Sequence, residues 1–317
     1  MECNDSTFCV PSVTGMPRSK GFELKYERVM DFGVKTSSTD PALDNGSASI
    51  RRNRRISSKV RIPLVVRPGF KALVGLAYFR EDFGFENPDD LSNPLYRSLE
   101  DKSLRAIGAR LYLIKPTYKN RYYLFRGSIS LNGDYNIDTE PNRNFIRFSL
   151  APLIGFKPNS RTSYAIGVAY SYNFGRGIPY PIFSYNRAFN DRWGFESFLP
   201  VNAKLRYSPN DKWFAYWGVE LQGANYNVRL GDSVLTANTA IYLEKSEVRT
   251  VFRLERELHD WLWVGAEGGW RYNIDFDLSD SFVLARSGIV ADNSLGDALL
   301  FNVGIFIVPP RKFLEDF

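Results

Sequence analysis

Residues 161–174 alternate without a break. Tyr164, Ile166, Val168, Tyr170, Tyr172 and Phe174 fall on one parity, and Ser163, Ala165, Gly167, Ala169, Ser171 and Asn173 on the other. A period of two is that of a β-strand, whose successive side chains point to opposite faces. The apolar face carries aliphatics in its middle and tyrosines toward both ends. A strand of a soluble sandwich has no reason to end in tyrosine. A strand that crosses a bilayer has one, because tyrosine sits well where hydrocarbon meets headgroups. From Tyr164 to Tyr172 is roughly 27 Å of strand, or about 20 Å of membrane depth after a tilt near 40°. Tyr164, Ile166, Val168, Tyr170 and Tyr172 are therefore expected to face lipid.

The same alternation predicts strands near 22–34, 50–66, 70–85, 104–114, 121–134, 145–156 and 179–189. Residues 193–207 would be one strand, but Pro200 lies in the middle and has no N–H to give to a ladder. Splitting there gives 193–199 and 201–207. Strands at 213–230, 237–255, 261–276 and 298–308 complete the set. The count is 14 with the split and 13 without it, and an even number is the rule for single-chain bacterial outer-membrane barrels; 12 is the alternative count. Connections at 67–69, 115–120, 157–160, 190–192, 208–211 and 257–260 read as short turns. Those at 35–49, 86–101 and 277–297 read as long polar loops. Short periplasmic turns opposite longer outer loops place both termini on the periplasmic side. Residues 1–20 read as a loose segment, 21–308 as one barrel without a linker, and 309–317 as a tail.

Composition narrows this only a little. Aromatic residues are 15% of the chain, which favours strands. A mean hydropathy of −0.29 looks soluble, but lipid-facing and lumen-facing residues average out in a barrel. No apolar run approaches the ~20 residues of a membrane helix, which excludes a helical membrane protein. No charged and then apolar leader opens the chain, so an outer-membrane destination carries the expectation of a mature or shortened form. Cys3 and Cys9 are the only cysteines, and they read either as a small local disulfide or as two thiols of a frayed tail. The net charge of +6 suits anionic partners, and its spread over alternating strands makes nucleic acid the least favoured of them.

In its dyad strands, in turns such as Ser208-Pro209-Asn210-Asp211 and in its terminal Phe317, the chain resembles bacterial outer-membrane β-barrels. In texture it is similar to barrels common in Bacteroidota. A C-terminal aromatic is a frequent insertion signal of such proteins, although here Pro309-Pro310 separates it from the last strand. The resemblance implies an all-β fold: a single antiparallel transmembrane β-barrel of about 14 strands. It also implies the outer membrane of a Gram-negative bacterium, with outer-membrane lipid and lipopolysaccharide as surroundings. No motif in it specifies an activity.

Candidate chemistry is sparse. The only histidine, His259, falls in an expected turn between Glu257 and Asp260, where an exposed side chain is the better reading than a catalytic base. No metal-ligand spacing or phosphate loop is visible, and neither a cofactor nor an enzymatic activity is expected. The polar faces are more informative. They assign Lys25, Arg55, Lys59, Arg61, Arg110, Arg126, Arg147, Arg161, Lys245, Arg249, Arg253 and Arg271 to the lumen as cations. The lumen anions are Glu23, Glu27, Glu220, Glu247, Glu255 and Glu267, twelve against six. A wet lumen with that surplus would favour small anionic solutes. The same groups could instead cross-pair and fill the barrel, as inward Phe79, Tyr112, Phe145 and Phe306 also suggest. Two functions follow: a passive channel or transporter, or an occluded structural subunit with other outer-membrane proteins as partners. Separately, Arg51-Arg52-Asn53-Arg54-Arg55 lies at the outer end of its strand. It aims Arg52 and Arg54 outward, either toward lipopolysaccharide phosphates or simply into solvent.

Overall fold

The computed structural model describes residues 11–38, 40, 43–67, 69–117, 120–136, 142–230, 240–281 and 288–312. Cys3, Cys9 and Phe317 lie outside them. The strands are β1 (Phe22–Val29), β2 (Phe32–Ser38), β3 (Gly46–Arg67), β4 (Phe70–Phe85), β5 (Leu104–Thr117), β6 (Arg121–Gly133), β7 (Ile146–Asn159) and β8 (Thr162–Ser171). They continue as β9 (Ile178–Ala188), β10 (Trp193–Leu199), β11 (Asn202–Asn210), β12 (Trp213–Val228), β13 (Ile241–His259), β14 (Leu262–Ser279), β15 (Ile289–Leu295) and β16 (Ala298–Ile307). An α-helix, α1 (Pro94–Asp101), joins β4 to β5.

The sheet closes on itself because β1 pairs with both β3 and β16. β1 and β2 share one register along β3, from Phe22↔Val60 through Val29↔Asn53 to Phe32↔Ile50. They are one stave interrupted at Met30 and Asp31. β15 and β16 are likewise one stave against β14, interrupted at Gly296 and Asp297. The barrel therefore has fourteen antiparallel staves, as expected from the sequence. Pro200 does end a strand, and β10 and β11 form the hairpin on either side of it. Two expected loops contain more than loop: 277–297 holds β15, and 86–101 holds α1.

The outward rows form an apolar belt. Leu76, Ile107, Ile129, Ile166, Val168, Trp217, Phe252 and Val303 are all exposed. Toward the end where β1 begins and β16 ends, here called the lower end, the belt finishes in exposed Tyr123, Tyr164, Trp193, Trp213 and Trp261. Apolar surface of this extent, ringed with aromatics, is the outer face of a transmembrane barrel. No described helix is long and apolar enough to cross a membrane.

The staves differ in height. β11 follows β12 only as far as Asn202↔Glu220. Above that level β12 meets β6, with Asn227 bridged to Gly133 in parallel and the Asp134 N–H donating to the Asn227 carbonyl at 3.2 Å. Nine staves thus close the upper barrel, and β7–β11 widen only the lower part. An odd ring of up-and-down staves must contain one parallel neighbour pair, and β6–β12 is that pair. The top of β9 consequently has a free edge above Phe183, the last residue paired with β10. Pro179 and Pro181 occupy that edge and have no N–H to leave unpaired.

Both ends of the narrowed lumen are filled. The upper end holds a buried apolar core that includes Phe83, Leu104, Leu243, Phe276, Leu278 and Leu300. α1 seals it with Leu95, Tyr96 and Leu99, all buried. The helix starts where Asn93 accepts the Leu95 N–H and Pro94 presets the first turn. At the lower end residues 11–20 cross the mouth as a strap. The Thr14 N–H donates to Ser160 in the β7–β8 turn, Asn186 of β9 donates to the Pro11 carbonyl, and Arg18 reaches Asp260 in the β13–β14 turn. Residues 11–20 are thus tied to the barrel at several points; the rest of the segment expected to be loose, 1–10, lies outside the described residues.

Candidate functional site: a cationic chamber in the barrel

Between the core and the strap lies a chamber of about 690 Å³. Alternation positions its walls, since inward residues of β1, β3, β5, β12, β13 and β14 all reach it. Nine cations and five carboxylates line it.

Its ceiling is a layer of six charges. Arg55 donates through Nε to Glu81 at 2.8 Å and through its terminal nitrogens to Glu27 at 3.0 Å and Glu247 at 2.7 and 3.0 Å. Arg249 donates to Glu27 at 2.9 and 3.0 Å and also to Glu247. The Lys245 ammonium donates to Glu81. Three cations thus face three carboxylates, and every one of these side chains is at most 8% exposed. In a low-dielectric setting only such mutual pairing makes burial tolerable.

Below this layer the balance changes. Glu23 lies 3.5 Å from each of Lys20, Lys25 and Lys59, so one carboxylate serves three ammonium groups. Lys20 also donates to Glu255 at 2.6 Å; burial holds its ammonium below the ordinary lysine range although Glu255 and Glu23 work to raise it. Arg253 bridges Glu220 at 3.0 Å and Glu267. The surplus is on the wall formed by β3, β5 and β6. Arg61, Arg110 and Arg126 form no salt bridge among the described residues, and Arg61 donates to the Lys20 carbonyl at 3.4 Å. Arg126 instead lies over the rings of Tyr112 and Phe198, 5.4 and 4.8 Å from their centroids. Arg110 and Arg126 both line a side pocket of about 240 Å³ that opens off the chamber. Ser128 and Ser149, whose hydroxyls are 2.5 Å apart, add neutral hydrogen-bonding groups there.

Of the eighteen charged residues expected in the lumen, thirteen border the chamber: Lys25, Arg55, Lys59, Arg61, Arg110, Lys245, Arg249, Arg253, Glu23, Glu27, Glu220, Glu247 and Glu267. Arg126 borders the side pocket, and Glu255 is met by Lys20. Three lie elsewhere. Arg147 is buried where β7 leans on β12; its Nε donates to Asn225 at 2.8 Å, between the rings of Tyr172 and Tyr242. Arg161 is in the exposed β7–β8 turn and pairs with Asp191. Arg271 is buried beside the upper core, 4.0 Å above the Phe32 ring, and donates to the Gly296 carbonyl. Of the expected lipid-facing set, Tyr164, Ile166 and Val168 are exposed and Tyr170 is half-buried, whereas Tyr172 is buried. Tyr172 lies past the end of β8, where the chain turns in over Gly223 of β12. Glu81 and Lys20 were not anticipated. Glu81 continues the inward row of Ala77 and Phe79, so alternation contained it. Lys20 precedes the first strand, and no periodic signal marks it. His259 is exposed at the end of β13 beside Trp261. Among the described residues no group of His, Cys, Asp and Glu has the arrangement of a metal site.

No protein-family model and no curated protein matches the chain. Solved structures do resemble it. A FadL homologue of Pseudomonas aeruginosa is 9% identical at a TM-score of 0.45, over 92% of this chain and 90% of that one. The toluene transporter TodX of Pseudomonas putida is 10% identical at 0.38, over 96% and 98%. The NanC porin is 8% identical at 0.35, over 90% and 100%. At these values the likeness extends to barrel architecture alone.

Proposed function

We propose that this barrel resides in the outer membrane of a Gram-negative bacterium and serves small anionic solutes, binding them in the chamber and passing them when the strap leaves the lower mouth and α1 leaves the upper end. The observation that carries the reading is the arginine wall. Arg61, Arg110 and Arg126 line cavities with room for a small organic anion, and none of the three forms a salt bridge among the described residues. A filled structural barrel gains nothing from such a surplus, because unpaired cations in a partly desolvated cavity cost free energy unless an anion joins them. Narrow pores lined by Arg and Lys favour anions by the same electrostatics.

The test is conductance in a planar bilayer under a salt gradient, for the full chain and for an opened form that lacks residues 1–19 and carries Leu95→Ser, Tyr96→Ser and Leu99→Ser in α1. The intact chain should be silent, and the opened form should conduct with anion preference. Arg110→Glu with Arg126→Glu should weaken or reverse that preference. Silence of both forms, when folded and inserted, would overturn the conduit. The second reading, an occluded structural subunit, is favoured by the apolar core and α1 at the upper end and would then take its place.

A further inference from the structure

We infer that the upper rim over β1, β3, β4 and β5 is a docking site for the phosphates of an outer-leaflet glycolipid. On each of these four staves the outward row passes from an apolar residue to arginine in a single step. Tyr26 is followed outward by Arg28, Ile56 by Arg54, Tyr78 by Arg80 and Ile107 by Arg105. That step is where hydrocarbon gives way to headgroups. The register makes the row unusual. Arg28 lies directly opposite Arg54, and Arg80 directly opposite Arg105. Like charges facing each other across a ladder are destabilising, yet here two such pairs stand side by side. Asp82 is the one acid on this row, and it is already engaged by Arg80 at 2.9 Å and by Ser103. Arg28 and Arg54 have no carboxylate partner among the described residues, and both are exposed.

Four staves cover roughly 14 Å, a patch wider than one free phosphate and suited to a headgroup with more than one. Guanidinium groups take phosphate oxygens in bidentate fashion. A phosphorylated headgroup held at this height would turn both repulsive pairs into bridged ones. The inference rests on the membrane-spanning reading but not on transport, and it stands or falls independently of conductance.

The full chain in a phosphate-free detergent is titrated with bisphosphorylated lipid A, with its dephosphorylated form and with inorganic phosphate, and binding is read by native mass spectrometry. Bisphosphorylated lipid A should bind, and Arg28→Gln with Arg54→Gln should weaken it about tenfold. Arg187→Gln with Arg256→Gln, exposed arginines of the lower rim, should leave it unchanged. Equal binding by wild type and the upper-rim variant would overturn the inference. So would displacement of the lipid by inorganic phosphate at comparable concentration, which would mark a free-anion site. Lipid-free melting is a second reading. Because the substitution removes a like-charge pair, the upper-rim variant should melt at or above the wild-type temperature, and a lower melting point would also count against the site. If that variant fails to fold, Arg80→Gln with Arg105→Gln takes its place in the same titration.

Discussion

Replacing Arg55 by methionine tests the charged ceiling most directly. Methionine keeps much of the length and removes the charge. Arg55 makes four charge-assisted hydrogen bonds to three carboxylates, and its side chain is 4% exposed. Its loss leaves Glu27, Glu81 and Glu247 with only Arg249 and Lys245. Because the layer lies between an apolar core and a small chamber, the excess carboxylate has little water to turn to. Breaking a buried pair from one side costs about 3–5 kcal/mol, and we expect a loss in that range. Loss of the exposed Arg161–Asp191 pair should cost ~0–1 kcal/mol. The assay is urea unfolding from phospholipid vesicles, followed by tryptophan fluorescence. Arg55→Met with Glu247→Gln leaves Arg249 on Glu27 and Lys245 on Glu81, and its stability should lie well above that of the single variant. A loss below about 1 kcal/mol for Arg55→Met would refute the reasoning, because it would mean that water reaches the layer.

Three further outcomes follow from other parts of the molecule. Asp260, in the β13–β14 turn, is only slightly desolvated, which tends to raise its pKa. The Arg311 N–H and guanidinium and the nearby Arg18 outweigh that and hold it below the ordinary 3.8. A depressed carboxyl stabilises above its unfolded value and stops doing so as pH falls through the folded one. The protection of the amides in residues 11–20, taken relative to free amides at the same pH, should therefore hold down to about pH 4 and fall below it; release near neutral pH would sink this view of the clasp. Gly167→Ala would drive a methyl into the Pro152 carbonyl oxygen and against Leu153, so β7 and β8 must part. A loss of about 1–3 kcal/mol is expected in the same urea assay. Pro179→Ala with Pro181→Ala restores two N–H groups to the free edge of β9. The variant should fold but dimerise more in cross-linking, and an unchanged monomer would count against the edge being open.

Much of the fold is legible because alternation is a local property. The outward row of β8 and the break at Pro200 need nothing beyond neighbouring residues. The misplacements share a cause, since each depends on a partner distant in sequence. Arg147 obeys the inward parity of β7, but the space inside β7 is occupied by β12, so it meets Asn225 rather than the chamber. Arg271 obeys its parity too, at a height where apolar core replaces solvent. Tyr172 has the parity of lipid-facing Tyr164, yet the chain turns inward before reaching it. Within the chamber, parity selects the charged side chains, but only the closed ring decides which carboxylate meets which cation. The arginines left over on β3, β5 and β6 therefore become visible only when all the staves are in place.

The parallel contact between β6 and β12 also constrains how the barrel is assembled. Most staves pair with the next one in the chain, and such hairpins close short loops. Asp134 and Arg229 at the seam are 95 residues apart, and all of β7–β11 lies between them. Closing so long a loop is entropically expensive, and contacts of this kind slow folding. The β6–β12 seam should accordingly form late, after β7–β11 have been laid down as an outward fold of the wall. Until it does, the nine-stave neck is open on one side, and the apolar residues that fill it have no complete enclosure.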